Sequence, residues 1–151
     1  MANALESIFA NMKPLLGTEL SRFSWAAEEG QVNQFQKSLL VNGVDFVSKE
    51  EVPLAYSVSM GLWGLPHFSL LQNIGVDVKN VVHGEQSFEL IEPIRVGDSY
   101  VISQVLSSLF LKQSAKYKQM LLLTIQSTVF DTHGTAYIRQ NHTSIQLDEN
   151  E

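Results

Sequence analysis

An α+β domain is the fold class this sequence predicts, and three observations carry that reading. Helix-period segments crowd the first half of the chain, strand-like runs fill the second, and the segment Met60–Ile74 between them is apolar nearly all round. A helix apolar on most sides has to be buried on most sides. The expected architecture is therefore a long antiparallel sheet whose apolar face wraps around one buried helix.

Each element has its own warrant. Leu5, Ile8, Phe9 and Met12 recur at helical spacing, and Pro14 with Gly17 closes the run, which predicts a brief lead-in helix. Glu19 to Ala26 alternates loosely and predicts a first strand. From Glu29, the apolar residues Val32, Phe35, Leu39 and Leu40 return at helical intervals. Glu28 and Glu29 suit the positive end of that helix's dipole, and Asn42-Gly43 supplies its stop. Val44 to Ser59 shows neither period and is interrupted by Pro53, so it is read as a loop with room for one helical turn. Loops of this length are often functional. The buried helix Met60–Ile74 comes next, with Pro66 near its first turn, where a missing N–H costs least, and Gly75 as its stop.

The stretch Val81 to Ser103, VVHGEQSFELIEPIRVGDSYVIS, reads as a strand, a tight corner built on Pro93 and Gly97-Asp98, and a second strand. Tyr100 to Leu111, Tyr117 to Phe130 and Thr135 to Leu147 then run as a meander, separated by Lys112 to Lys116 and by Asp131-Thr132-His133-Gly134.

Composition narrows the function classes. A chain of 151 residues is long enough for one domain that buries roughly 70% of its unfolded surface, so a single domain, 1–151, is expected. Hydrophobic residues make up 44% and charged residues 17%, a globular balance with room for an apolar interface. With 10 basic residues against 16 acidic ones the net charge is -6, which disfavours a phosphate-tracking surface, and nucleic acid is not an expected partner. The absence of cysteine removes disulfides, thiolate metal sites and thiol nucleophiles.

The opening MANALESIFANMKPLL lacks the layout of a secretory signal, and no apolar run approaches the roughly 20 residues that span a bilayer, so membrane is not expected and cytoplasm is the expected location. No GxGxxG, P-loop or GxSxG pattern occurs, and no His, Asp or Glu pair has a recognised ligand spacing. Neither a metal nor another cofactor is expected.

The wording HGEQxFxxxxPIRxGD, from His83 to Asp98, resembles the N-terminal domain of MaoC-like dehydratases of the FAS1-like type, a hot-dog fold family that handles acyl thioesters. Pattern-level similarity extends to Gly17-Thr18-Glu19, to the helix after Glu29 and to the Asp131–Gly134 turn. The resemblance implies a hot-dog fold, an acyl chain running along the buried helix, and a substrate on coenzyme A or an acyl carrier protein. It also implies a catalytic Asp and His about five residues apart in a GDxNPxH-like segment just after the helix that Glu29 opens. Here that stretch is Leu40-Val41-Asn42-Gly43-Val44-Asp45-Phe46-Val47-Ser48-Lys49, with one Asp and no His. The dyad is broken. Relatives of that kind act as the substrate-binding partner of a catalytic hot-dog subunit, which is the role this chain resembles.

The candidate residues follow. Asp45 is a lone carboxylate that burial would tune toward a general base, or a turn residue. His83 is a thioester or proton-handling contact, or a structural donor beside Gly84. Glu85 and Gln86 bind substrate or pin the strand. Met60, Gly61 and Gly64 lie where the resemblance places backbone N–H donors for the thioester oxygen, and the two glycines permit close approach. His67 is a through-space replacement for the absent dyad histidine, or a histidine at the margin of the core satisfied locally, whereas His133 and His142 have no partner visible from spacing.

Three functions compete at this point: an acyl-thioester-binding domain of the dehydratase and hydratase family, a hot-dog thioesterase, and a non-enzymatic lipid-binding or structural module. The thioesterase reading is weakened because Met60–Ile74 holds no Asp or Glu to act as base. A sheet edge left unpaired by one helix and one sheet predicts a homodimer or a heterodimer with a catalytic homologue.

Overall fold

The computed structural model describes residues 4–39, 50–59, 72–73, 75–113 and 115–148. Within them the chain runs α1 (Ala4–Met12), β1 (Glu19–Ala26), α2 (Glu29–Ser38), β2 (Val81–Leu90), β3 (Ser99–Lys112), β4 (Met120–Phe130) and β5 (Ala136–Leu147), with short 3₁₀ turns at Lys13–Leu15, Leu54–Tyr56 and Val78–Asn80. The strands form one antiparallel sheet in the order β1-β3-β4-β5-β2. β3, β4 and β5 are the expected meander. β2 and β3, joined by the Pro/Gly corner, are not neighbours: β2 crosses to the far edge and pairs with β5.

Alternation along the strands separates the two faces. On β4, Leu121, Leu123, Ile125, Ser127 and Val129 are buried while the residues between them are only half-buried. Opposite them on β5 lie Gln146, Ser144, His142, Gln140 and Ile138. The buried face carries two apolar clusters. One gathers Trp25, Val32, Tyr56, Ile94, Tyr100, Ile102, Val129 and Ile138 beneath α2 and the corner. The other gathers Leu5 and Met12 of α1 with Val76, Leu106, Leu109, Leu121, Leu123 and Ile125. Each of these large side chains contributes about 1.5–3 kcal/mol by leaving water, so the ends of the face hold the sheet to its helices.

Three boundaries differ from expectation, the simplest being that β4 opens at Met120 rather than Tyr117. α2 stops at Ser38, ahead of Asn42-Gly43. The Ser38 hydroxyl bonds back to the Phe35 carbonyl at 2.6 Å, the Leu39 N–H closes on the Gln36 carbonyl at 3.0 Å, and Leu39 is 51% exposed, so no apolar face rewards a further turn. Residues 57–59 are already helical, ahead of the expected start at Met60. There the Ser57 hydroxyl returns to the Leu54 carbonyl and the Ser59 hydroxyl to the Tyr56 carbonyl, each at 2.6 Å, after Pro53 has set the entry. Residues 72–73 are helical as well. The remainder of the expected buried helix, including His67, lies outside the described residues.

The corner after β2 is stitched to its surroundings at four points. Val52 N–H donates to the Ile94 carbonyl at 2.8 Å and Val96 N–H to the Glu50 carbonyl at 3.0 Å. Gly97, at φ 90°, occupies a conformation open to glycine, and its N–H donates to Ala27 O at 2.8 Å while Ala27 N–H donates to Asp98 O at 3.0 Å. The buried Tyr100 phenol accepts the Arg95 N–H at 3.0 Å, and burial pushes that phenol's pKa up.

The β4–β5 turn is held by Asp131, whose Oδ1 accepts the N–H groups of His133 and Thr135 at 2.8 Å each. The bond from the Thr135 backbone is the main reason its carboxyl is held below the usual carboxylate range. A depressed folded pKa stabilises the fold above the unfolded value, and that contribution disappears as pH falls through the folded one. Replacing Asp131 with Ala is therefore expected to lower the melting temperature at neutral pH, and the gap from the parent chain is expected to close in acid below the carboxylate range. Thermal melts at the two pH values check it.

Candidate functional site

In a regular strand, His83 and Gln86 would point to opposite faces, because three residues is an odd step on a period of two. β2 does not stay regular. Its register with β5 slips between His83 and Glu85: His83 sits opposite Ser144 and Glu85 opposite Thr143, so Gly84 is the extra residue of a bulge. The slip turns His83 and Gln86 to the same face, the one that carries His142 and Ser144. Glu85 goes to the other face, exposed, level with Thr143, whose hydroxyl meets that of Thr124 at 2.8 Å.

Gly84 is required by close approach. A Cβ there would meet Ile145 Cγ1 and Cδ1 at 3.0 Å and the Thr143 carbonyl oxygen at 3.1 Å.

The bulge assembles a polar cluster. His142 Nδ1 lies 2.7 Å from Gln86 Oε1, and His142 Nε2 lies 3.0 Å from Ser144 Oγ. Since an amide oxygen only accepts, the Gln86 contact puts the proton of neutral His142 on Nδ1, and Nε2 then accepts from the Ser144 hydroxyl. The His83 ring stands edge-on to the His142 ring, centroids 4.8 Å apart and planes at 69°. His142 is half-buried and His83 exposed, so the second ring is the accessible member of the pair.

A second polar row crosses the same face one pleat away. The Ser21 hydroxyl donates to Gln104 Oε1 at 2.8 Å, and Gln104 Nε2 donates to Ser127 Oγ at 3.2 Å. Gln140, opposite Ser127, donates from Nε2 to the Ser57 carbonyl at 3.4 Å. The oxygens Gln140 Oε1, Gln146 Oε1 and Gln36 Oε1 are buried without a hydrogen-bond partner. The charged side chains of β2 and β5 are on the opposite face, where Arg139 and Glu89 pair at 2.9 Å.

Beside the corner, a cavity of ≈ 260 Å³ opens between α2, residues 51–54 and the end of β2, with Val52, Leu54, Leu90, Ile94 and Ile138 as its apolar walls and Gln36 in its lining. It adjoins the described chain that follows the Leu40–Lys49 stretch. Among the described residues, no three His, Asp or Glu side chains are grouped to hold a metal, and no helix is long and apolar enough to cross a membrane.

Of the residues singled out from sequence, His83 and Gln86 are brought together and Glu85 is separated from both by the bulge. Asp45, Met60, Gly61 and Gly64 lie outside the described residues. His133 sits exposed in the β4–β5 turn. His142 is the residue that sequence reasoning missed. Its signal was present only in the register, because pairing the HGEQ strand with the last strand is what sets His142 against Gln86.

Residues 15–140 match the model of the FAS1-like dehydratase domain region. The chain belongs to the FAS1-like dehydratase family. Solved structures with the same fold include the ChsH1–ChsH2 complex of Mycobacterium tuberculosis, at TM-score 0.70 and 13% identity over 97% of this chain and 93% of that one. The HadBC (3R-hydroxyacyl-ACP dehydratase) complex from the same organism has TM-score 0.68 and 12% identity, over 87% and 96% of the two chains. A MaoC-like dehydratase gives TM-score 0.67 and 16% identity over 89% of this chain, which spans 43% of that longer one. No curated protein matches the sequence. The fold is thus the α+β hot-dog type, and the FAS1-like dehydratase block His83–Asp98 divides into a bulge that gathers polar groups and a corner that ties β2 to β3.

Two substitutions probe this architecture. Gly84→Ala sets a Cβ 3.0 Å from the Ile145 side chain and 3.1 Å from a backbone oxygen, so the neighbours must shift, and a loss of about 1–3 kcal/mol is expected in denaturant unfolding. Gln146→Met keeps the volume of a side chain that is 4% exposed and removes its unpaired oxygen. A gain of about 1 kcal/mol is expected, read from the unfolding midpoint at unchanged slope.

Proposed function

We propose that this FAS1-like dehydratase domain binds acyl thioesters, carried on coenzyme A or an acyl carrier protein, and serves as the substrate-binding subunit beside a catalytic homologue in 3-hydroxyacyl dehydration or enoyl hydration. One observation carries the reading: the HGEQ-to-GD block is present in full, while the stretch Leu40–Lys49, where the family's Asp and His belong, has a single Asp and no His. Proton transfer at the α-carbon and at the β-oxygen needs groups positioned for both tasks, and that stretch supplies no such pair.

The supporting features are physical. β2 is an edge strand that exposes Val82 (44%) and Leu90 (54%), so a second sheet laid alongside it would satisfy its unpaired backbone and cover apolar surface. The HadBC and ChsH1–ChsH2 structures are complexes of more than one chain, which favours a heterodimer with a hot-dog homologue over a lone subunit. Gln86, together with backbone N–H groups at Met60, Gly61 and Gly64, supplies the proposed substrate contacts, and Glu85, turned to the opposite face, is left out of them. Asp45 and His83 are the remaining candidates for chemistry. Cytoplasm is the proposed location.

The reading is tested by calorimetry and turnover on the full chain. Binding of an acyl-CoA without dehydration of its 3-hydroxy form is expected, with turnover appearing when a homologue carrying the intact dyad is added. Turnover by the chain alone at about 1–10³ s⁻¹, the ordinary range for enzymes, would overturn the partner role. Release of free thiol from acyl-CoA that vanishes in Asp45→Asn would instead establish a thioesterase. A monomeric mass by light scattering, with and without the homologue, would contradict the proposed assembly.

A further inference from the structure

The face of the sheet turned away from the helices carries an apolar row. Register sets Phe110 of β3 against Leu122 of β4, Leu122 against Ile145 of β5, and Ile145 against Val82 of β2, all on the side opposite buried Leu121, Leu123 and Ser144. Four strands are crossed in one line. Phe110 is 56% exposed and Val82 44%, with the two middle residues half-buried between them. Ile145 reaches to within 3.0 Å of where a Gly84 Cβ would stand, so it leans over β2 and keeps the row continuous to its end.

Charge on this face is arranged around the row. The Asp, Glu, Lys and Arg residues of the five strands are Glu19, Arg22, Glu85, Glu89, Lys112 and Arg139, and β4 in the middle has none. Arg22 pairs with Glu19 at 2.8 Å and Arg139 with Glu89 at 2.9 Å. Lys112 and Glu85 are left over: both are exposed, and neither has an ion-pair partner among the described residues. Lys112, opposite Met120, lies one same-face step beyond Phe110 toward one end of the sheet, whereas Glu85, opposite Thr143, lies one step beyond Val82 toward the other. Opposite charges thus occupy diagonal corners of an apolar line.

We propose that this face is a self-association surface on which a second copy of the chain lays the same row, with Lys112 of each copy against the partner's Glu85. Each corner stands about 7 Å across the strands and about 7 Å along them from the row's centre, given strand spacings of ~4.8 Å and a rise of ~3.4 Å per residue. Because the two offsets are equal, a two-fold axis lying between the sheets at about 45° to the strands carries one corner onto the other. Leu122 and Ile145 then meet their own copies near the axis. The strands of the two copies cross near a right angle, one of the two ways in which sheets stack.

Crossed sheets overlap over a square about 20 Å on a side, so each copy contributes roughly 400 Å² of footprint, the size of weak and reversible contacts rather than obligate ones. The two ion pairs in their own sheet, Arg139–Glu89 and Arg22–Glu19, need no partner from the second copy. The surface is separate from the β2 edge, so it joins monomers or edge-paired dimers alike.

The test is sedimentation of the full chain from about 1 μM to about 1 mM, a span that brackets weak association. The mass of the parent is expected to double with concentration, and Phe110→Thr to associate at least tenfold more weakly with its unfolding midpoint nearly unchanged, since Phe110 is exposed and three strands from the β2 edge. Lys112→Glu and Glu85→Lys are each expected to weaken association roughly tenfold, because symmetry spoils two pairs at once, and the doubly swapped chain is expected to recover it.

Parent and Phe110→Thr sharing one mass across the whole range would overturn the inference, whatever the state of the β2 edge, because edge pairing leaves Phe110 untouched. Loss in Phe110→Thr with no recovery in the doubly swapped chain would overturn the crossed arrangement. Capture of the parent, and not of Phe110→Thr, by phosphatidylcholine vesicles without self-association would give the face to a lipid surface instead of a second copy. Should the swapped chain fail to fold, a salt series on the unaltered chain decides: association that weakens with added salt is expected, and indifference to salt would overturn the pairing.

Discussion

One steric fact organises the site: β2 crosses β5 so closely that a Cβ at Gly84 would lie 3.0 Å from the Ile145 side chain and 3.1 Å from the Thr143 carbonyl oxygen. Only glycine passes there without displacing its neighbours, and the strand takes the extra residue as a bulge. Because strand side chains alternate faces, that single residue decides the sidedness of everything before it. With the bulge, His83 and Gln86 share the helix-facing side with His142 and Ser144. Without it, His83 would join Glu85 or Gln86 would leave the cluster, and the polar group would not form. The tetrapeptide HGEQ thus reads as a mechanical unit, with Gly84 as the hinge of the register and His83 and Gln86 as what the register delivers.

The cluster lies within a face whose ends are held by apolar packing. Tyr100, Ile102, Val129 and Ile138 anchor one end, Leu106, Leu121, Leu123 and Ile125 the other, Gln104, Ser127 and Gln140 cross between them, and His142 and Ser144 lie level with Ile125 and Leu123. A buried amide oxygen left unpaired costs about 1–3 kcal/mol, and this domain carries the cost at Gln36, Gln140 and Gln146. An apolar side chain in those positions would pack at lower cost. Polar groups retained in the middle of a core against that gradient are where function is expected to depart from stability.

The sheet was legible because β4 and β5 alternate cleanly and the Asp131–Gly134 turn carries its own acceptor for two backbone N–H groups. α1 and α2 were legible from helical spacing, although the end of α2 was not: Ser38 folds its hydroxyl onto Phe35, a local competition that apolar periodicity does not register. The partner of β2 was invisible for a different reason. The corner from Ile91 to Asp98 reads as a turn, yet it carries the chain from the β2 edge past β5 and β4 to β3, tied down through Val52, Glu50 and Ala27. Those anchors are distant in sequence, and so is His142, which is why the histidine pair emerges only from the fold. The family block supplied the fold class, but it could not say which of its residues face inward.

The same logic explains why the HGEQ-to-GD block answers to folding before it answers to chemistry. Ile94 is buried in the core cluster, Gly97 and Asp98 exchange backbone hydrogen bonds with Ala27, and Gly84 lets β2 lie against β5. Each of these is a folding requirement, met in full whether or not a proton is ever moved nearby. What they leave in place is an open strand edge at β2 and, beside its bulge, two histidine rings whose centroids are 4.8 Å apart.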